Sequence, residues 1–197
     1  MAGDAVAGVP VGLSFMKALA WALAGLLLGT APPPQADLRV PFVRQEKYLC
    51  AASCLAMVRL YWGETVTQYE IAGKAGWTEG RGLTVGSIQT YLDTLDGYRY
   101  RMGAGDIGLL KGWLEQGCPV IVALAGSSSD IQHAVVLTGF DQRGFVFHDP
   151  GRGEGMRLKF ERMAKRWKAG GFFYCLLVPK TGPARSVSPS PSADPGR

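Results

Sequence analysis

Apolar residues recur at helical spacing in residues 50–62, and Gly63 follows them. This pattern predicts a largely buried helix that ends at the glycine. Further along, Thr67 and Glu70 have the spacing of a capping box, in which each side chain binds the backbone N–H of the other residue. They predict the start of a second, shorter helix.

Two further helices are predicted from the same kind of signal. Apolar residues at helical spacing follow Thr84, and Gly97 lies beyond them as a stop signal. A second set follows Asp106, which can cap a helix, and this set ends at Gly117. The apolar positions are Val85, Ile88, Leu92 and Leu95 in one helix, and Ile107, Leu110, Trp113 and Leu114 in the other.

Beyond residue 118 the pattern changes to short runs that are rich in Val, Phe and Leu and are bounded by Gly, Ser, Asp and Pro. Such runs predict β-strands, here at residues 119–124, 134–140, 145–148 and 172–178. The Gln-Arg-Gly sequence at residues 142–144 indicates a hairpin turn between the second and third strands. Apolar spacing of three and four predicts one more helix, which covers a sheet face and carries Phe160, Met163 and Trp167.

Helices that come first and strands that come later are typical of an α+β fold. We expect an N-terminal helical lobe packed on an antiparallel β-sheet, within one domain at residues 37–180. The chain has 197 residues, of which 47% are hydrophobic and 19% are charged, and these values exclude a disordered protein. The net charge of +5 is too mild to indicate a nucleic-acid partner, and two histidines and four cysteines leave little material for a metal site.

The two ends of the chain differ from this domain in composition. Lys17 precedes an apolar run, and Gly29 and Ala31 fit the −3 and −1 positions of a signal-peptidase site. We therefore expect residues 1–36 to be a signal peptide plus a linker, or alternatively an uncleaved anchor that associates the protein with a membrane. In both cases the domain is exported, to the periplasm or outside the cell. Residues 181–197 are rich in Ser and Pro and predict a disordered tail.

Cys50 lies where a loop becomes the first predicted helix. The N-terminus of a helix carries free N–H groups and a partial positive charge, and both favour the thiolate over the thiol. Since the thiolate is the nucleophile, Cys50 is a candidate catalytic residue. The alternative is a small hydrophobic residue at the start of a helix, because most buried cysteines are inert.

Only two histidines are available as a base for Cys50. His133 directly precedes a predicted strand, which places its imidazole at the mouth of the sheet. His148 and Asp149 are neighbours in a strand and therefore face opposite sides. If the two strands pair, Asp149 lies near His133 and can orient its imidazole. The alternatives are an edge-of-strand polar residue for His133 and a turn residue before Pro150 for Asp149.

Gln45 precedes Cys50 by five residues. A side-chain amide this close to a nucleophile can donate a hydrogen bond to an oxyanion, together with the backbone N–H of Cys50. The signal is weak by itself, since glutamine is common in loops.

Together these residues resemble a known family. The stretch VPFVRQEKYLCAASCLAMVRLYWGE is followed by GCPVIVAL, HAVVLTGF and HDPGRGEG. In order and spacing, these segments are similar to the bacteriocin-processing (double-glycine leader) peptidases and to their relatives that lack a transporter. The resemblance spans about residues 40–179 and implies the fold of the papain-like cysteine peptidases. It also implies that Cys50 is the nucleophile, His133 the general base, Asp149 the residue that orients the base, and Gln45 the oxyanion donor.

The resemblance further implies the activity. We expect an exported cysteine peptidase that cleaves a peptide or protein substrate and needs no cofactor, metal or nucleic acid. Leader-processing members of the family cut after paired small residues, which implies a preference for Gly-Gly or Gly-Ala. Specificity is expected to lie in the loops at residues 77–83 and 125–132. Nothing in the chain matches the ATP-binding or membrane domains of the exporters, so we expect a stand-alone peptidase.

The chain departs from the family pattern at Ala51, where members usually have glycine. The added methyl group is expected to narrow the site. Two other classes of function stay open. The departure favours a catalytically silent peptide-binding module on the same fold, and the same triad also suits another amide hydrolysis or an acyl transfer.

Three other features carry alternatives of their own. Cys54 lies one helical turn after Cys50 and is expected in the core, with a role in resolving an oxidised Cys50 as the alternative. Cys118 and Cys175 are expected to be buried free thiols, although an exported protein allows them to pair. The basic residues at 157–168 are expected on the solvated face of an amphipathic helix, with contact to anionic lipids or cell-wall polymers as the alternative.

Overall fold

The computed structural model describes residues 36–125 and 132–181, which form five helices and seven strands. Within these ranges, no helix has both the length and the apolar content needed to cross a membrane. The expected signal peptide or anchor and the expected tail lie outside the described residues, except for Ala36 and Thr181. Residues 126–131 of one expected specificity loop also lie outside them.

The predicted helices all form, and the two for which a cap is predicted begin directly after it. The side chains and backbone N–H groups of Thr67 and Glu70 make the capping box. The Asp106 side chain accepts a hydrogen bond from the N–H of Leu109 at 2.8 Å. The helices are α1 (Cys50–Tyr61), α2 (Gln68–Lys74), α3 (Val85–Asp93), α4 (Ile107–Glu115) and α5 (Phe160–Ala169).

The strands form one sheet in which every pairing is antiparallel. They are β1 (Ala36–Asp37), β2 (Tyr98–Ala104), β3 (Val120–Ala125), β4 (Gln132–Phe140), β5 (Gly144–Asp149), β6 (Gly153–Lys159) and β7 (Phe173–Pro179). Their order is β2-β7-β3-β4-β5-β6, and β1 pairs with the end of β4. The predicted hairpin turn joins β4 to β5, where Asp141 accepts hydrogen bonds from the N–H groups of Arg143 and Gly144.

Three strands are not predicted by the hydrophobic pattern. β2 and β6 form the two edges of the sheet, and β1 has only two residues. An edge strand buries less surface, so β2 alternates tyrosine with arginine and β6 mixes glycine with charged residues. Arg157 and Lys159 therefore lie on β6, and the prediction that placed them on the amphipathic helix is wrong.

Helices cover both faces of the sheet, and this is the predicted α+β fold. On one face, α1, α2 and α3 pack with residues such as Ile121 and Val136 of the sheet. On the other face, α4 and α5 pack with residues such as Val122 and Val135. Neighbouring residues of each strand thus serve opposite layers, as strand geometry requires.

The sheet also separates two of the cysteines. Cys175 belongs to the core on the α1 side and Cys118 to the core on the α5 side, and both are free thiols. Because they lie on opposite faces of the sheet, the pairing considered for an exported protein does not occur. The expectation of buried free thiols is confirmed.

Candidate active site

Cys50 is the first residue of α1, and it is partly exposed. The preceding residue, Leu49, is buried, and its side chain cannot cap the helix. The first N–H groups of α1 therefore lack a side-chain cap, and they give this end of the helix a partial positive charge. One of them, the N–H of Ala51, forms a hydrogen bond to the Cys50 sulfur.

Strands β4 and β5 bring His133 next to Asp149. Phe140 pairs with Phe145 beside the hairpin turn, so that His133 falls near the end of β5 on the neighbouring strand. The His133 Nε2 atom lies 2.7 Å from Oδ1 of Asp149. The two side chains come from neighbouring antiparallel strands, and they meet at the open end of the β4–β5 hairpin.

His133 also forms a hydrogen bond with Cys50. Because Asp149 takes Nε2, the other ring nitrogen is left for the sulfur. Burial raises the pKa of the Cys50 thiol, but hydrogen bonds with His133 and with the N–H groups of Ala134 and Ala51 outweigh it and bring the pKa below its ordinary value. Burial lowers the pKa of His133, but hydrogen bonds to Asp149 and Cys50 raise it to about 9.

Asp149 is almost fully buried, with a side chain that is 2% exposed. Its Oδ1 accepts a second hydrogen bond, from the N–H of Gly151 at 3.0 Å. Burial raises the pKa of this carboxyl group, but the hydrogen bond and charge of His133, the N–H of Gly151 and the nearby Arg152 lower it overall. Asp149 therefore presents a carboxylate to the imidazole across neutral pH.

Gln45 lies on the segment between β1 and α1, residues 38–49, which we call the strap. The N–H of Gln45 donates to the carbonyl of Pro150 at 2.9 Å. The Gln45 side chain lies against Gly151, where a Cβ atom would come within 3.3 Å of Oε1. Oε1 is buried and has no hydrogen-bond partner in the described residues. The structure thus places Gln45 beside the turn that follows Asp149.

Gln68 holds the strap on either side of Gln45, and its place after a helix cap is the one feature of the sequence that points to it. It is a buried polar residue at the start of α2. Its Nε2 donates to the carbonyl of Arg44 at 2.9 Å, and its Oε1 accepts from the N–H of Glu46 at 2.9 Å. Oε1 also accepts from the Ser53 hydroxyl of α1 at 2.8 Å. Gln68 therefore links the strap to the nucleophile helix.

His148 serves the strap and not the triad. Its Nε2 lies 2.9 Å from the carbonyl oxygen of Val40, and the N–H of Gly155 donates to Nδ1 at 3.0 Å. Nδ1 therefore accepts a hydrogen bond, and Nε2 is left to donate to the strap. The alternation of the strand predicts that His148 faces away from Asp149, and these partners confirm it.

An apolar pocket of about 150 Å³ opens beside Cys50. Its walls come from α1, from the start of α3 and from the sheet, and include Ala51, Ile88, Ile121 and Phe173. Ala51, the residue after Cys50, is therefore part of the pocket lining.

Cys54 points into the core below the nucleophile. It is fully buried, and burial raises the pKa of its thiol well above the ordinary value. This environment agrees with the expected core role. In the two described ranges, no group of three or more His, Cys, Asp or Glu residues is arranged to hold a metal ion.

The match to a protein family spans most of this domain. Residues 37–174, which include all four candidate site residues, match the model of the Peptidase C39 like family. The chain belongs to this family. Among curated proteins, no sequence is significantly similar to this one.

Solved structures of peptidase domains share the fold. The peptidase domain of Streptococcus ComA, a bifunctional ABC transporter in a quorum-sensing pathway, is 21% identical with a TM-score of 0.61, and the match covers 72% of this chain and 100% of that one. A C39-like peptidase of Bacillus anthracis is 21% identical with a TM-score of 0.60, over 74% and 98% of the two chains.

A third structure is that of a double glycine motif protease from an AMS/PCAT transporter, in complex with the leader peptide. It is 21% identical with a TM-score of 0.60, and the match covers 77% of this chain and 99% of that one. At this identity the three structures establish the fold: the chain has the fold of the papain-like C39 peptidases, as the resemblance implied.

Proposed function

We propose that this chain is an exported cysteine peptidase that hydrolyses peptide bonds in a peptide or protein substrate. The observation that carries the proposal is the continuous hydrogen-bonded series from Cys50 through His133 to Asp149, at the start of α1. The family and the fold support peptidase chemistry at this site. The export part of the proposal rests on the composition of residues 1–36 alone.

The resting site holds a thiolate and an imidazolium. The lowered pKa of Cys50 and the pKa of about 9 for His133 favour this ion pair at neutral pH. The positive N-terminus of α1 supports the thiolate, and the buried Asp149 carboxylate supports the imidazolium. The nucleophile is therefore ready before a substrate arrives.

The first half of the reaction forms a thioester. The Cys50 thiolate attacks the carbonyl carbon of the scissile bond, a C–S bond forms, and the carbonyl electron pair moves to the oxygen. The N–H of Cys50 and the side-chain amide of Gln45 donate to this oxyanion. The His133 imidazolium then gives its proton to the leaving nitrogen, the C–N bond breaks, and the amine product departs.

The second half releases the acyl group. Neutral His133 takes a proton from a water molecule while the water oxygen attacks the thioester carbonyl carbon. The tetrahedral intermediate uses the same oxyanion donors, and its collapse breaks the C–S bond. The products are a carboxylic acid and the restored pair of thiolate and imidazolium. Asp149 holds the imidazole in one orientation throughout.

The test is the pH dependence of Cys50 alkylation, followed by intact-mass analysis of the purified protein and of His133→Ala. We expect fast alkylation well below pH 8.5, which is lost or shifted to higher pH in the variant. Slow alkylation with an ordinary thiol pKa in both proteins would exclude the paired nucleophile. It would leave the silent peptide-binding module that Ala51 favours.

The reaction products separate hydrolysis from acyl transfer by the same triad. A peptide mixture is incubated with the protein and analysed by mass spectrometry. Hydrolysis yields a free carboxylic acid at the new C-terminus, whereas transfer yields a product that carries the acyl group on another amine. Cys50→Ser, in which the nucleophilic sulfur is absent, is the control for adventitious proteases.

A further inference from the structure

We infer that the apolar pocket beside Cys50 receives a large aliphatic or aromatic side chain of the substrate, one or two residues before the scissile bond. This inference rests on the proposed function, because it assigns a specificity to the same site. It departs from the preference for paired small residues that the resemblance implies.

The position of the pocket fixes which part of the substrate reaches it. Cys50 itself forms part of the wall, so a peptide whose carbonyl carbon meets the sulfur passes the mouth of the pocket. His133, Gln45 and Asp149 are not among the lining residues. Since His133 protonates the leaving amine, the residues after the scissile bond lie on the imidazole side. The pocket is therefore available to the residues before the scissile bond, which form the acyl half of the substrate.

The alternation of an extended peptide narrows the choice further. Successive side chains point to opposite sides, so only one of the two residues before the scissile bond faces the pocket. The sheet contributes Ala134, the residue after His133, and Phe173 on β7 to the lining of the pocket. The start of α3 contributes Val85 and Ile88.

The size and chemistry of the pocket select the side chain. An apolar cavity of about 150 Å³ lined by leucine, isoleucine and phenylalanine accommodates benzene. This pocket has the same volume, its walls are mostly aliphatic, and the Cys50 thiolate of the proposed mechanism is their one charged side chain. Leucine, isoleucine, methionine or phenylalanine fits such a space, whereas a charged side chain would lose its hydration without gaining a partner.

The mouth of the pocket carries a second sign of an apolar ligand. Val85 is one of three large hydrophobic residues that are exposed in the described part of the chain, with 48% of its surface accessible. Ile88, one turn further along α3, is 8% exposed and lies deeper in the same wall. An apolar surface that continues from the solvent into a pocket is typical of a binding site.

A Gly-Gly sequence would leave this pocket empty. Burial of a leucine side chain contributes about 1.5–3 kcal/mol, which corresponds to a preference of about 10- to 150-fold over glycine at that position. The pocket therefore predicts a substrate class with a large apolar residue beside the cleavage site.

Binding can be measured without cleavage in the Cys50→Ser variant of the full chain. Its isoleucine methyl groups are labelled with ¹³C, and three N-acetylated dipeptide amides (Leu-Gly, Gly-Leu and Gly-Gly) are titrated into it. We expect one leucine peptide to bind at least about tenfold more tightly than Gly-Gly and to shift the Ile88 and Ile121 methyl signals. The methyl signal of Ile107, on the other face of the sheet, is the internal control.

Two matched substitutions test the pocket itself. Ile88→Phe fills the pocket and is expected to abolish the preference for leucine. Ile107→Phe makes the same change outside the pocket and is expected to keep it. Circular dichroism verifies that both variants are folded. If they are, their relative affinities for the leucine and Gly-Gly peptides show whether the pocket causes the preference.

The outcomes separate this inference from the proposed function. Equal binding of Gly-Gly and both leucine peptides, or a leucine preference that survives Ile88→Phe, would overturn the pocket inference even if Cys50 is a reactive thiolate. Conversely, an inert Cys50 in the wild-type protein together with leucine-dependent shifts at Ile88 and Ile121 would overturn the peptidase. In that case the pocket stands as the binding site of a silent module.

Discussion

His133 and Asp149 are sixteen residues apart in the chain, and their side chains meet at the open end of the β4–β5 hairpin, with Nε2 2.7 Å from Oδ1. The carboxylate is buried, while the imidazole is 21% exposed and reaches Cys50. The hydrogen bond therefore joins a buried carboxylate to an imidazole ring that lies beside Cys50. In the proposed mechanism this contact is what holds the base in place.

Asp149→Ala is expected to reduce peptide cleavage by about 100-fold or more, because the imidazole loses both its orientation and the charge that raises its pKa. Asp149→Asn should recover part of the activity, since the amide oxygen still accepts from Nε2 and Cys-His-Asn sites are functional. Cleavage rates of the three proteins at pH 7 measure this order.

The matched control for that series is Asp141→Ala. Asp141 is a buried carboxylate that accepts backbone hydrogen bonds in the β4–β5 turn and pairs with Arg157 at 2.5 Å, away from Cys50. Its loss should reduce stability and leave the rate per folded molecule unchanged. The proposed orienting role of Asp149 is wrong if the cleavage rate of Asp149→Ala equals that of the wild type, or if it is reduced no more than the rate of Asp141→Ala.

The ion pair predicts that alkylation and peptide cleavage separate at alkaline pH. The Cys50 thiolate forms as the pH rises through its lowered pKa, and it persists above that point. The His133 imidazolium is lost as the pH rises through about 9. Alkylation needs only the thiolate, whereas cleavage also needs the proton for the leaving amine. Cleavage should therefore decline above pH 9 while alkylation by iodoacetamide stays fast.

Both pH profiles are measured on the same sample between pH 5 and pH 10.5. A stable circular dichroism signal across that range serves as the control for unfolding. The assignment of His133 as the proton donor would be contradicted if both rates declined above pH 9. It would also be contradicted if neither rate declined.

The helices and the central strands could be predicted from the sequence because local signals fix them. Thr67 and Glu70 each bind the backbone N–H of the other residue at the start of α2, and the Asp106 side chain caps α4 through the N–H of Leu109. The edge strands could not be predicted, because β2 and β6 bury too little surface to require an apolar run. Local interactions therefore determine where the helices begin, and the position of a strand in the sheet determines whether its sequence shows a recognisable apolar run.

The site divides in the same way. Cys50 and His133 lie at the ends of predicted elements, so their places follow from the pattern. The support of Gln45 by Gln68 and His148 depends on contacts between segments that are distant in the chain, such as the 108 residues between His148 and Val40. No local pattern encodes such contacts. The pocket beside Cys50 is hidden for the same reason, since α1, α3 and three strands each contribute to it.

Tyr48 adopts a positive φ of 65°, which an L-residue other than glycine reaches at a cost. It lies in a turn closed by a hydrogen bond from the N–H of Leu49 to the carbonyl of Glu46 at 3.0 Å, and its side chain is exposed. Tyr48→Gly is expected to raise the free energy of unfolding by about 0.5–1 kcal/mol, because the relief of strain exceeds the added entropy of the unfolded chain.

Tyr69→Gly is the matched control, because Tyr69 is an exposed tyrosine inside α2. There the same substitution should lower the free energy of unfolding by about 1 kcal/mol, as glycine is unfavourable in a helix. Urea denaturation monitored by tryptophan fluorescence gives both values. A loss of stability in both variants would mean that the turn before Cys50 is not strained.

Gln68→Leu is expected to weaken the oxyanion site without changing the nucleophile. The substitution keeps the approximate size of the side chain but removes its bonds to Arg44, Glu46 and Ser53. Loss of these buried hydrogen bonds should lower the free energy of unfolding by about 1–3 kcal/mol. It also frees the strap on both sides of Gln45, so the amide proposed to donate to the oxyanion is no longer held in place.

Two probes of Cys50 separate this effect from a general loss of structure. Iodoacetamide alkylates the thiolate without forming an oxyanion, and its rate should stay close to that of the wild type. A peptide aldehyde forms a tetrahedral adduct whose oxygen occupies the oxyanion site, and its affinity should fall about tenfold or more. Gln116→Leu is the matched control, because it removes an amide that donates only to the carbonyl of Gly112 in the neighbouring last turn of α4. If aldehyde affinity and alkylation rate fall together in Gln68→Leu, the strap supports the fold around Cys50 and does not position Gln45.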